Sequence, residues 1–207
     1  MPLYITWLDY LGVSVFAMSG ALVASRKQMD IIGFALVATV TGIGGGTLRD
    51  IILDRPVFWI AEQFYLLICL IIACIGFFFA YRVQKRYSLL LWFDAIGISA
   101  YGILGAHLAL SQGASFLPAI TLGVMTATFG GLVRDVITGE TPLILQHEVY
   151  ATAALLSAGT YVVLRLIGVD ITSAAITGTV FGFALRACGI LFQLSLPRYR
   201  PRKGVDY

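Results

Sequence analysis

Two short runs carry most of the chemistry this sequence can do. Gly42-Ile43-Gly44-Gly45-Gly46-Thr47-Leu48-Arg49-Asp50 lies inside one long apolar stretch, and Phe129-Gly130-Gly131-Leu132-Val133-Arg134-Asp135 inside another. Consecutive glycines in a helix interior cost roughly 0.5–1 kcal/mol each relative to alanine and remove side-chain constraint. A helix is expected to kink or open there, and at membrane depth bare carbonyls are tolerable only beside protein or a watery cavity. Arg49 follows Gly45 by four residues and Gly46 by three, so its guanidinium rises from the face the glycines open; Arg134 has the same relation to Gly130 and Gly131. An arginine facing lipid costs at least roughly 2.5–3.5 kcal/mol at the bilayer centre, so both Arg-Asp pairs should point into the bundle. Carbonyls and carboxylates along one wet route are the chemistry of ion permeation. Glycines that only let helices approach, with ion pairs that only fix register, are the structural alternative.

Neighbours on a helix are about 100° apart, so Arg49 does not face Asp50 well. A crossed arrangement is expected instead, Arg49 with Asp135 and Arg134 with Asp50. Ser14, Thr41, Ser99 and Thr126 could offer hydroxyls to a partly dehydrated ion, or hydrogen-bond their own helices. Asp9 and Asp94 are matched too, one turn before Gly12 and Gly97, and at helix starts are equally readable as caps or interfacial charges. His107 and His147 have no metal-like company and receive no role. Cys69, Cys74 and Cys188 sit in apolar runs without CxxC spacing and read as small hydrophobes. No nucleophile stands with a base and no ligand cluster forms, so no enzyme, cofactor or metal site is expected.

The elements that must position these residues follow from composition. Of 207 residues, 59% are hydrophobic and only 12% charged, with mean hydropathy +0.90 and net charge +3. Soluble domains run near 45–50% apolar and about 25% charged, so much of this surface must face a bilayer. That excludes a cytosolic enzyme, a nucleic-acid binder and a disulfide-built secreted module. The N-terminus has no Lys or Arg before its apolar stretch and carries Asp9 within it, so it reads as mature protein.

Seven stretches are long enough for transmembrane helices, which need roughly 20 apolar residues. They run from about Leu8 to Ser25, Ile31 to Asp54, Ile60 to Tyr81, Leu90 to Leu110, Leu117 to Gly139, Val149 to Ile167 and Ile171 to Leu196. The class is an all-α integral membrane protein. Arg26, Lys27, Arg82, Lys85, Arg86 and the tail residues Arg198, Arg200, Arg202 and Lys203 fall on one side, against little beyond Arg55 and Arg165 on the other. The positive side should be cytoplasmic, with the N-terminus outside and the C-terminus inside. The basic tail, 197–207, sets topology or touches anionic lipid headgroups. Trp7, Trp59 and Trp92 read as interfacial anchors.

The chain also repeats itself. Shifted by 85 positions, Leu8-Asp9-Tyr10-Leu11-Gly12-Val13-Ser14 falls on Phe93-Asp94-Ala95-Ile96-Gly97-Ile98-Ser99. Gly20 falls on Gly105, Thr41 on Thr126, Gly45-Gly46 on Gly130-Gly131, Arg49-Asp50 on Arg134-Asp135 and Tyr65 on Tyr150; one slip sets Pro56 opposite Pro142. Each unit holds three spans, so the second copy must enter from the opposite face, an inverted repeat. The reading is one transmembrane domain over 1–207, with repeats at 8–82 and 93–167 and an added seventh helix at 171–196.

Gly-Gly-Gly-Thr-Leu-Arg-Asp in the second helix and Gly-Gly-Leu-Val-Arg-Asp in the fifth, on a three-plus-three inverted repeat with a seventh span, resemble the prokaryotic branch of the trimeric intracellular cation (TRIC) channels. Such sequences are also labelled a glycine-transporter domain, or YadS-like. The resemblance implies a homotrimer in a bacterial or archaeal cell membrane, each protomer with its own pore along the second and fifth helices, permeable to potassium and other monovalent cations such as sodium. Animal members carry Lys-Glu-Val where this chain has Gly44, Gly45 and Gly46, so the resemblance gives no ground for carrying over phosphoinositide binding or calcium-release counter-ion duty. The ion pathway is expected at Gly44, Gly45, Gly46, Arg49, Asp50, Gly130, Gly131, Arg134 and Asp135, with Arg49→Ala altering the current. The rival is a carrier for a small amino acid such as glycine, with Arg49 for its carboxylate and Asp135 for its ammonium.

Overall fold

The computed structural model describes residues 3–83, 85–146 and 148–197. His147 and the basic residues Arg198, Arg200, Arg202 and Lys203 lie outside the described residues. The described chain forms eight α-helices: α1 (Leu3–Arg26), α2 (Ile31–Ile52), the single turn α3 (Phe58–Ala61), α4 (Phe64–Phe79), α5 (Arg86–Ser111), α6 (Phe116–Ile137), α7 (Ala151–Leu166) and α8 (Ile171–Phe192). Six are long and apolar enough to cross a membrane, and α7 is a shorter apolar helix of 16 residues. This is an all-helical, multi-pass membrane protein.

The third stretch begins later than expected. Instead of a helix from Ile60, the chain makes the turn α3, breaks at Glu62-Gln63 and restarts at Phe64. The turn α3 is tied to the end of α2, since the Phe58 N–H donates to Asp50 Oδ2 at 3.0 Å.

Helix ends repeat at the interval seen in the sequence. α1 and α5 close on Gln28 (φ 53°) and Gly113 (φ 83°), and α2 and α6 on Asp54 (φ 49°) and Gly139 (φ 65°). In each case the next residue donates back over five positions, as Met29 to Ala24, Ala114 to Ala109, Arg55 to Asp50 and Glu140 to Asp135 at 2.8–3.1 Å. This is the left-handed C-terminal cap.

In the bundle α1 packs on α2, α4 and α5, α6 packs on α2, α5 and α7, and α8 lies on α5 and α7. Two antiparallel crossings bear on the site, α1 on α5 and α2 on α6. At the first, the Phe16 ring occupies the space beside Gly97 and the Tyr101 ring the space beside Gly12, so α1 and α5 run antiparallel. The rings meet edge to face at 5.4 Å. Both knobs are almost fully buried, and α1 and α5 form the axis around which the peripheral helices expose Leu, Ile and Phe.

Candidate functional site

The glycine runs meet where α2 crosses α6. A methyl at Gly45 would strike the Thr126 carbonyl oxygen, and one at Gly130 the Thr41 carbonyl oxygen; at Gly44 it would come to 3.4 Å from the Gly130 Cα. The two helices are therefore in backbone contact, antiparallel, with glycine permitting the approach. Both remain α-helical through the glycines, so the expected opening of the helix is not what forms. The space a side chain would take at Gly45 and Gly130 is filled by the Thr126 and Thr41 carbonyls of the opposing helix.

The hydroxyls reinforce this. Ser14, Thr41, Ser99 and Thr126 each donate to the carbonyl four residues earlier, at 2.7, 2.5, 2.7 and 2.6 Å. That is the alternative in which they bond their own helices, and their lone pairs remain to accept from elsewhere. Thr41 and Thr126 stand at the crossing, Thr41 against Gly20 and Thr126 against Gly105. Ser99 is buried, whereas Ser14 opens onto an apolar groove of about 790 Å³ between α1 and α4.

Beyond the crossing, in opposite directions, lie the two arginines, each about 1% exposed. The crossed pairs expected from the sequence do not form. Antiparallel register at Thr41–Gly130 and Gly45–Thr126 sets Asp135 level with Leu36, thirteen residues from Arg49, or about 20 Å along the axis. Each arginine instead turns onto its own neighbour: Arg49 Nε donates to Asp50 Oδ1 and Arg134 Nε to Asp135 Oδ1, both at 2.8 Å. The second oxygen of each aspartate accepts a backbone N–H, from Phe58 and Leu143. A carboxylate bonded on both sides in this way lets adjacent helical residues pair despite their angular separation.

Here Asp9 and Asp94 enter, neither of them a cap or an interfacial charge. Asp94 is fully buried and takes Arg134 at both oxygens, at 2.8 and 3.0 Å. Ser19 accepts a further bond from Arg134 at 2.7 Å. Asp9, 4% exposed, accepts instead from the hydroxyls of Tyr101 at 3.0 Å and Tyr65 at 3.1 Å. Arg49 Nη1 has no hydrogen-bond partner among the described residues.

A further arginine escaped the sequence reading. Arg186 on α8 is fully buried, donates to Glu148 at 2.7 Å and to the Val149 carbonyl at 3.3 Å, and lies over the Tyr150 ring at 5.4 Å. Its signal was available as a lone cation late in the seventh apolar stretch. His107 bonds the Tyr161 hydroxyl at 2.7 Å. Among the described residues no cluster of His, Cys, Asp and Glu could hold a metal.

The chain as a whole is similar to known proteins. The glycine transporter family model matches the chain twice, over residues 6–81 and 91–166. A UPF0126 membrane protein of Vibrio cholerae is 38% identical over 198 residues, covering 93% of this chain and 81% of its own. The UPF0126 inner membrane protein YadS of Escherichia coli is 33% identical over 196 residues, covering 93% and 95%. The solved TRIC trimeric intracellular cation channel orthologue from Rhodobacter sphaeroides superposes with TM-score 0.90 at 49% identity, covering 92% of this chain and 99% of that one. The chain is a prokaryotic member of the TRIC family. Within this TRIC chain the two matched segments split the charged layers evenly: Asp9, Arg49 and Asp50 fall in one, Asp94, Arg134 and Asp135 in the other.

Proposed function

We propose that the protein is a channel for monovalent cations, permeable to potassium and sodium, assembled as a homotrimer with one pore in each protomer. The observation that carries this is the α2–α6 crossing, carbonyl against glycine, set between two buried charge layers in a chain that shares its fold with a solved cation channel. The route runs along Gly44, Gly45, Gly46 and Gly130, Gly131, past Arg49–Asp50 at one end and Arg134–Asp135 at the other. Where the helices part, the Thr41 and Thr126 carbonyls and hydroxyl lone pairs become ligands that a dehydrated cation can use and leave. Ser99 and Ser14 stand farther from the crossing. Each arginine on this route is partnered by a carboxylate, which lowers the repulsion a lone guanidinium would exert on a cation.

The inverted three-plus-three arrangement, with α8 as the added seventh span, is supported by the double family match, the antiparallel crossings and the caps 85 residues apart. The end that gathers Arg26, Lys27 and Arg86 is the cytoplasmic one in this reading, with the N-terminus outside and the C-terminus inside. Support comes from Arg26 and Lys27 sharing Glu140 at 3.4 Å and from Arg86 reaching the Ser25 carbonyl at 3.3 Å. Basic residues there and in the tail meet anionic headgroups of the inner membrane. Trimerisation follows the relatives named as trimeric channels.

Purified protein in a planar bilayer, under potassium and then sodium gradients, tests the reading. Discrete current steps are expected. Electrical silence together with saturable glycine counterflow in liposomes would replace the channel with a carrier.

A further inference from the structure

The two repeats contain the same three side chains in two different settings. In the second, the aspartate is held by arginine: Asp94 is clamped by Arg134, and the Tyr150 hydroxyl, buried beside Gly131, has no hydrogen-bond partner among the described residues. In the first, the aspartate is held by tyrosine: Asp9 accepts from Tyr65, and the nitrogen without a partner is Arg49 Nη1. Asp9 and Asp94, Arg49 and Arg134, and Tyr65 and Tyr150 are pairs related by the 85-residue repeat. What is idle in one half is engaged in the other.

Two substitutions between the repeats account for the difference. Tyr101, which gives Asp9 its second hydroxyl, corresponds to Phe16, which has none to give Asp94. Ser19, which accepts from Arg134, corresponds to Leu104, which offers Arg49 nothing. Both changes draw the first aspartate toward tyrosine and the second toward arginine. Phe58 adds to this bias, since the Arg49 guanidinium lies over its ring at 5.5 Å. A buried donor left unmade is costly, so Arg49 Nη1 gains by any motion that brings an acceptor to it, and Asp9 is the candidate the repeat supplies, as the counterpart of Asp94.

We propose that Asp9, Arg49 and Tyr65 form a two-position switch, in which the Asp9 carboxylate passes between the Tyr65–Tyr101 hydroxyls and the Arg49 guanidinium. Asp94, Arg134 and Tyr150 display the second position. In the tyrosine position Arg49 presents an uncompensated N–H to the route; in the arginine position the two charges close into a compact pair and the local barrier to a cation falls. The switch is also wired to the surface: Tyr65 stacks on Tyr10 at 4.6 Å, and Tyr10 donates to the exposed Glu62. That the exchange gates current rests on the channel reading; the exchange itself does not.

The test removes hydroxyls and leaves rings. In a structure of the Tyr101→Phe protein, Arg49 should lie within hydrogen-bond distance of Asp9; Tyr65→Phe provides a second, independent variant with the same expected outcome. An Asp9 that stays away from Arg49 in the folded variants overturns the switch. In planar bilayers open probability should rise about tenfold, the effect of losing one hydrogen bond to a charged group. An unchanged or lowered open probability alongside a closed Asp9–Arg49 pair overturns the gating role. Wild-type protein that passes no current defeats the channel reading alone, and the structural arm still decides the exchange.

Discussion

Phe58 and Leu143 hold the same office in the two halves: each gives its backbone N–H at 3.0 Å to the outer oxygen of the aspartate eight residues before it. The inner oxygen of that aspartate takes the adjacent arginine at 2.8 Å. Asp50 and Asp135 are thus the joints between a membrane helix and the connector that follows it. The halves differ in how far the arginine depends on this joint. Arg134 has Asp94 as well, while Asp50 is the only carboxylate within ion-pair distance of Arg49 among the described residues.

Asp50→Ala should therefore be more damaging than Asp135→Ala. Removing the only partner of a buried charge costs about 3–5 kcal/mol, and a second partner reduces that loss. Thermal unfolding of the two variants in the same detergent measures the difference. Equal losses would mean that Asp94 does not support Arg134.

Exchanging charges tells the observed pairing from a crossed one. The double variant Arg49→Asp with Asp135→Arg should yield no more monodisperse protein than either single change, because those sites stand about 20 Å apart along the crossing. Size-exclusion profiles of the three variants are sufficient. Recovery in the double variant would place the side chains across the helix pair after all.

The crossing predicts a graded response to a single methyl. At Gly45 and Gly130 the added carbon meets backbone carbonyl on the opposing helix, which cannot turn aside, and overpacking of this kind costs about 1–3 kcal/mol. At Gly44 the nearest neighbour is 3.4 Å away, an ordinary contact. Gly45→Ala and Gly130→Ala should lower the melting temperature and Gly44→Ala should hardly change it; an inverted order would show that α2 and α6 do not touch there.

Arg186→Ala should loosen α8 from the start of α7, since it removes the bonds to Glu148 and Val149 and the support beneath Tyr150. Arg186→Lys should recover little, because an ammonium cannot serve two directions and a ring face as a planar guanidinium does. Amide exchange at residues 171–192 reads the result. Full protection in the alanine variant would assign α8 another anchor.

Acid should act on the start of α8. Hydrogen bonds from Ser173 hold the Asp170 carboxyl below the ordinary aspartate range. A carboxyl depressed on folding contributes above its unfolded value and loses that contribution as pH falls through the folded one. Protection of the Ser173 amide should fade at strongly acidic pH and be independent of pH in Asp170→Asn, since asparagine caps without titrating. A parallel fade in both proteins would detach it from Asp170.

Much of this arrangement was readable from residue order because repetition and apolarity are one-dimensional signals. The 85-residue shift and the two glycine runs required no coordinates, and the helices that bear them form close to the expected boundaries. Side-chain partnership is a different matter. The crossed pairs failed because helices that cross antiparallel carry equivalent residues away from one another, a fact that spacing along each helix cannot express. Taken along one helix the glycines are weak points; the backbone of the facing helix, at Thr41 and Thr126, turns them into a contact. Asp94 looked like a surface charge because it lies near a helix start, yet α5 begins eight residues earlier, at Arg86. Arg186 was overlooked within a long apolar run, where Tyr150 and Glu148 could be recognised as its partners only after folding.

At 16 residues, α7 rises about 24 Å, less than the roughly 30 Å of an ordinary hydrocarbon layer. Its exposed Leu155, Val163 and Leu166 give acyl chains a low wall to meet. In the proposed channel, lipid beside that wall has to compress, at a modest cost for each ångström of mismatch. Bilayer thickness thereby becomes a mechanical load on the bundle, one that changing acyl length would adjust without any ligand.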